Sequence, residues 1–223
     1  MDETRWLDPP RTALLVIDMQ RAFLERGAAL EVPEGRKIIP NVKALLETCR
    51  DVSVPVVFTR FVYSTAVPCL RGNPFGIEHL PARPGQSTGS GFPSGNCLVA
   101  PQANQGANAP EIIADLAPRD DELVVSSHLY DKFHDTPLDL ALRSRDVRCL
   151  IVTGVVTEIC VNATLMGAAN RDYRVTVATD GVAPVSPELQ QACFQIWQRK
   201  FARLATTGEL IVHLRNGSHT PNV

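Results

Sequence analysis

Six short apolar runs, each bounded by turn-forming residues, constrain the fold more than any other feature of the chain. They are Ala13 to Ile17, Pro55 to Thr59, Leu123 to Val125, Cys149 to Thr153, Val175 to Ala178 and Leu210 to Leu214. None alternates strictly between apolar and polar, so each reads as a strand covered on both faces. Helix-like stretches lie between them. Asn41 to Arg50 gathers Val42, Leu45 and Leu46 on one face, and Thr136-Pro137 reads as an N-cap followed by proline before Leu138 to Arg143. Ser186-Pro187 repeats that start signal ahead of a helix running to about Ala205. Strands alternating with helices require right-handed crossovers and a mainly parallel sheet. The expectation is a single three-layer, doubly wound α/β domain over residues 1–223 with a six-stranded sheet. The stretch at about 61–109, rich in Gly, Pro, Ser and Asn, breaks the alternation and reads as a loop, either a functional lid or a solvated insertion.

Charge excludes several classes of partner. Lys and Arg total 22 against 24 Asp and Glu, with no basic run, so neither nucleic acid nor a membrane surface is an expected partner. No apolar stretch approaches the roughly 18 residues of a membrane span, and the start, Met-Asp-Glu-Thr-Arg-Trp, is unlike a signal peptide. The six cysteines form no CxxC pair, which fits free thiols and a cytoplasmic location. The five histidines show no ligand spacing, so no metal or other cofactor is expected.

In open parallel sheets, ligands bind beyond the carboxyl ends of the strands. Asp18 ends the first apolar run, Ser126 and Ser127 end the third, and Cys160 opens the helix after the fourth. A thiol in the first turn of a helix meets unsatisfied N–H groups and the positive end of the dipole, a setting expected to favour the thiolate. A carboxylate and a thiol on one rim suggest a nucleophile with an acid/base partner.

Four separated blocks then resemble the isochorismatase-like cysteine hydrolases. They are Leu15-Val-Ile-Asp18-Met-Gln20 with Phe23, Phe58-Thr59-Arg60, Tyr130-Asp-Lys-Phe133-His-Asp-Thr136-Pro-Leu138, and Gly154-Val-Val-Thr157-Glu-Ile-Cys160-Val. The resemblance implies a hydrolase acting on a small amide, carbamoyl or ureido compound, built as a homo-oligomer. It implies Cys160 as nucleophile, Asp18 as its acid/base partner, and a cis peptide at Val155-Val156. It further implies an oxyanion hole of the Val156 and Cys160 amides, and aromatics at the substrate at Phe23 and Phe133, which as residues read first as core or pocket wall. Gln20 reads equally as a substrate contact or a turn hydrogen bond. The metal motif of the nicotinamidase branch has no match in Arg60-Phe61-Val62-Tyr63-Ser64.

One family residue is missing. The resemblance puts a catalytic lysine at the end of the third strand, where this chain has Ser127. The nearest lysine is Lys132, five residues later, and an extended chain of that length covers about 16 Å. Three readings remain. Lys132, Arg21 or Arg60 supplies the charge, the chemistry departs from that of an amidase, or Ser127 weakens turnover and leaves a ligand-binding relative. Isochorismatase-type cleavage of a vinyl ether, with Asp18 as the acid, is a further alternative.

Overall fold

The computed structural model describes residues 7–28, 30–62 and 110–217. The expected lid therefore lies outside the described residues, apart from Phe61 and Val62. The sheet has six strands, all parallel: β1 Thr12–Ile17, β2 Val56–Phe61, β3 Leu123–Ser127, β4 Cys149–Val155, β5 Arg174–Ala183 and β6 Ala202–Ala205. Their order across the sheet is β3-β2-β1-β4-β5-β6. Every residue of β1 and β4 is buried, which is why these runs carry no polar alternation.

The helices cover both faces. α1 is a single turn, Arg21–Leu24, and α2 spans Ile39–Asp51. α3 spans Leu138–Arg143, α4 Asn162–Ala169, α5 Pro187–Ile196 and α6 Thr207–Gly217. Val42, Leu45 and Leu46 of α2 join Leu210 and Leu214 of α6 against Leu14, Val16 and Phe58 on one face. Leu138 and Leu142 of α3, Leu165 of α4 and Trp197 beyond α5 pack against Leu15, Ile17 and Val152 on the other.

The last strand is not where the apolar pattern put it. Leu210 to Leu214 belongs to α6, and β6 is the short run Ala202–Ala205. The reason is a capping box. The Thr206 N–H and hydroxyl donate to Glu209 Oε2 at 2.7 and 2.8 Å, and the Glu209 N–H donates back to Thr206 Oγ1 at 3.3 Å. That exchange starts a helix at Thr207. Leu210 and Leu214, four apart, are fully buried on its inner face, while Val212 is 59% exposed. The helix after Ser186 is accordingly shorter than expected: α5 ends at Ile196, a π-helical turn spans Trp197–Phe201, and the chain then pairs with β5.

The sheet order fixes where a site can form. After β1 the chain adds β2 and β3 on one side, then crosses to add β4, β5 and β6 on the other. The helices leave this switch point on opposite sides, opening a crevice above the ends of β1 and β4. Gly154 allows those two strands to approach closely. Its φ is +115°, and a Cβ there would lie 2.0 Å from the Ile17 carbonyl oxygen.

Candidate active site

Asp18 leaves β1 in the left-handed region, with φ of 51°, a conformation aspartate tolerates better than most residues. Its N–H meets Thr59 at the end of β2, 3.2 Å from both the carbonyl oxygen and Oγ1. The Thr59 hydroxyl then donates to Asp18 Oδ1 at 2.7 Å. Both residues are fully buried, so β2 sets the height and the rotation of the carboxylate.

Lys132 reaches this carboxylate. Its Nζ lies 2.8 Å from Asp18 Oδ2, and neither side chain has any solvent exposure. The ammonium also donates to the Leu129 carbonyl at 3.1 Å and stands 4.9 Å from the centre of the Phe61 ring. Phe61 in turn stacks on Tyr130, with ring centres 5.5 Å apart. Among the described residues Oδ2 accepts no well-aligned hydrogen bond, so charge holds it to Lys132.

The gap that an extended chain would leave is closed because the loop folds back. Ser127 contributes to that fold. Its hydroxyl accepts the Leu129 N–H at 3.1 Å and donates to the Leu129 carbonyl at 3.0 Å. This local turn aims the carbonyl that the Lys132 ammonium uses. Ser127 is therefore a turn residue, spent on backbone, and the charge at Asp18 comes from Lys132. Neither arginine offered as a substitute is needed. Arg21 pairs with Glu25 and Glu111, and Arg60 donates to Ser126 at 2.8 Å.

Cys160 sits in a π-helical turn, Thr157–Val161, that leads from β4 into α4, and it is 3% exposed. The Val155–Val156 peptide before this turn is cis. Burial pushes the thiol well above its ordinary range, and the negative charge of Asp18 and a hydrogen bond with it push in the same direction. The Lys132 charge and the Val156 N–H, which points at the sulfur, act the opposite way without overcoming them. The helix start, expected to favour the thiolate, is outweighed here by burial and by the Asp18 charge. Desolvation disfavours the charged form of the thiol more than the nearby cation and N–H favour it. Glu158, in the same turn, accepts the Val185 and Ser186 N–H groups at 2.9 and 2.8 Å and ties the turn to the start of α5.

The residues expected to touch substrate divide differently. The Gln20 side chain donates to the Phe61 carbonyl at 3.0 Å and accepts the Phe61 N–H at 2.8 Å, so both ends of its amide clamp β2 to the chain after β1. Phe23 is buried in the α2-side core. Phe133 is buried on the other face, 5.6 Å from the Tyr173 ring and under the Arg171 guanidinium at 5.0 Å. Among the described residues all three have framework contacts, as the core and turn readings of these positions expect. The residues that pattern reading passed over are Thr59, Phe61, Tyr130 and the Leu129 carbonyl. Thr59 had a signal, since it lies in one of the four recognised blocks; a backbone carbonyl has none. Among the described residues no group of three or more His, Cys, Asp and Glu could hold a metal ion, and no helix is long and apolar enough to cross a membrane.

A parallel α/β domain with a carboxylate, an ammonium and a thiol buried together at its switch point defines a class of small-molecule hydrolase folds. The Isochorismatase domain matches residues 12–209, and the chain belongs to that family, an isochorismatase-like hydrolase family. Among solved structures, it is similar to a cysteine hydrolase from Pseudomonas syringae pv. phaseolicola 1448A. Identity is 26%, TM-score is 0.76, and 95% of each chain is covered. It is also similar to a pyrazinamidase of Pyrococcus horikoshii solved in complex with zinc, at 27% identity and TM-score 0.68 over 88% of this chain and 99% of that one. An N-carbamoylsarcosine amidase from Thermoplasma acidophilum shares the fold at 24% identity and TM-score 0.63, over 88% of this chain and 96% of that one.

Proposed function

We propose that the protein is a cysteine-dependent hydrolase of a small amide, carbamoyl or ureido C–N bond, working through a thioester. The observation that carries this reading is the fully buried Asp18–Lys132 pair at 2.8 Å, set beside the buried Cys160 thiol. A buried ion pair is expensive to assemble and serves stability poorly, so its position beside a thiol argues for chemistry.

The cycle starts at the thiol. Asp18 takes the proton of Cys160 as the sulfur attacks the substrate carbonyl. Lys132 offsets the second negative charge that would otherwise build up beside the carboxylate. The Val156 N–H, already directed at the sulfur, and the Cys160 N–H stabilise the oxyanion. Asp18 then gives its proton to the leaving nitrogen, and the amine or ammonia departs. A water that passes its proton to Asp18 hydrolyses the thioester, and the carboxylate returns that proton to the sulfur.

Ammonia release across a panel of small amides, carbamates and ureides tests the reading. Turnover that vanishes in Cys160→Ala supports it, and turnover that survives removes it. Vinyl-ether cleavage with Asp18 as acid needs no thiol, so a conserved rate in Cys160→Ala on such a substrate would point there instead. A purely ligand-binding role drew its support from Ser127, and Lys132 at the carboxylate favours the hydrolase reading over it.

A further inference from the structure

The loop from His128 to Pro137 contains no regular element, yet it carries the charge that Asp18 requires. A strand end would fix a lysine through the sheet ladder, and this loop needs another support. Its backbone is fastened to α4, which begins two residues beyond Cys160. The Thr164 hydroxyl donates to the Tyr130 carbonyl at 3.2 Å and accepts the Lys132 N–H at 3.3 Å. Thr164 is fully buried and stands four residues after Cys160, hence on the same side of the helical path.

The next turn of α4 continues the contact. A Cβ at Gly167 would come within 2.5 Å of the Asp131 carboxylate, so the loop rests directly on helix backbone there. Arg171 completes it, 3.8 Å from Asp131 Oδ2 and stacked on Phe133. The loop also closes on itself, because the Thr136 hydroxyl donates to the Lys132 carbonyl at 2.5 Å.

We propose that Thr164 is a positioning residue for the Lys132 ammonium, with the nucleophile's own helix standing in for the strand end. This rests on the hydrolase reading above. The position calls for a hydroxyl, because one atom must donate to Tyr130 and accept from Lys132 at once. Valine has the same shape and can do neither. Sulfur and ammonium would then keep their spacing because the turn that carries Cys160 runs into α4, and Thr164 of α4 holds the loop that carries Lys132.

The test compares Thr164→Val and Thr164→Ser, alone and in a Lys132→Met background. It reads kcat and KM on an amide found by the ammonia-release panel, and the rate of Cys160 alkylation by iodoacetamide without substrate. Thr164→Val is expected to lower kcat by about tenfold to a hundredfold with KM within about threefold, as for an interaction expressed in the transition state. Losing the ammonium's pull on the thiol is expected to slow alkylation by about threefold or more at about pH 8.5. Thr164→Ser restores most of both. In the Lys132→Met background, Thr164→Val changes the alkylation rate by no more than about twofold, as residues acting through one group are non-additive.

An unchanged kcat and alkylation rate in Thr164→Val would overturn the proposal, as would an equal loss of alkylation rate with and without Lys132. If valine prevents folding, Thr164→Ala takes its place with the same expectations. Failure of the hydrolase reading shows separately, as turnover that survives Cys160→Ala, and leaves the alkylation comparison intact.

Discussion

The two halves of the candidate site are built by different means. Asp18 and Cys160 hang from the ends of β1 and β4, the two strands buried along their whole length at the centre of the sheet. Lys132 hangs from a loop held by a handful of bonds to Leu129, Thr164 and Thr136. The first region is positioned by a six-residue ladder between Thr12 and Ile17 on one side and Cys149 and Gly154 on the other. The second is positioned by hydroxyl groups. A charged group can therefore change its place in the sequence without changing its place in the site, provided the loop gains the bonds a strand would have supplied.

The comparison breaks most easily at the thiol. Cys160→Ala is expected to lower turnover by about a thousandfold or more, because in the proposed cycle this sulfur forms the thioester. Ammonia release checks it, with circular dichroism showing that the fold is kept. Lys132→Met comes next and acts on both activity and stability. Removing one partner of a buried ion pair leaves the other uncompensated, and urea unfolding should show a loss of about 3–5 kcal/mol. Replacing both partners, as Asp18→Asn with Lys132→Met, should recover part of that loss while turnover stays absent. A single Lys132→Met with wild-type stability would mean that the pair is not buried as described.

The two regions also differed in how far the sequence revealed them. Strand-end residues follow from period and burial, so Ile17-Asp18 and the turn from Gly154 to Cys160 could be placed on the rim from their apolar approach alone. The Lys132 position depended on where the Leu129 carbonyl points, and carbonyls have no letter in a sequence. Gln20 is ambiguous for a related reason. A polar residue next to a buried strand-end aspartate reads equally as a substrate contact or a turn hydrogen bond, and the structure shows its amide joining the chain after β1 to β2. At the sheet's far edge Leu210 to Leu214 had the composition of a strand. The signal that decided otherwise was Thr206 and Glu209, three residues apart and outside the apolar run.

Ser127→Lys sharpens the contrast, since it returns a lysine to the end of β3. With Lys132 already paired to Asp18, the second ammonium meets like charge there. The change also removes the two Ser127–Leu129 bonds that aim the carbonyl beneath Lys132. At about 0.5–1.5 kcal/mol for each bond, the expected destabilisation is about 1–3 kcal/mol, with activity reduced. A clear rise in ammonia release would instead show that Lys132 does not serve as the site's cation. Combining Ser127→Lys with Lys132→Met then asks whether a strand-borne lysine can replace the loop-borne one; partial rescue is expected.

The smallest expected effect concerns the thiols themselves. Burial raises Cys160 and Cys49, the latter from 9.0 to about 12, and raises Cys149 and Cys193 to a lesser extent of burial. In the unfolded chain these thiols ionise near their ordinary value, so above about pH 9 unfolding releases protons that the folded protein retains. The sign follows: the unfolded state binds fewer protons there, and stability must fall as pH rises. Each fully buried thiol contributes a slope of up to about 1.4 kcal/mol per pH unit. Urea midpoints measured from about pH 8 to about pH 10.5 should therefore decline, with the loss beginning near the ordinary thiol value. Cys160→Ala should decline less steeply than the parent, because one of the protonated thiols is gone. An equal slope in both would mean that Cys160 already rests as a thiolate. The carboxylate would then have no proton to collect, and the order of steps that begins with Asp18 would have to be reversed.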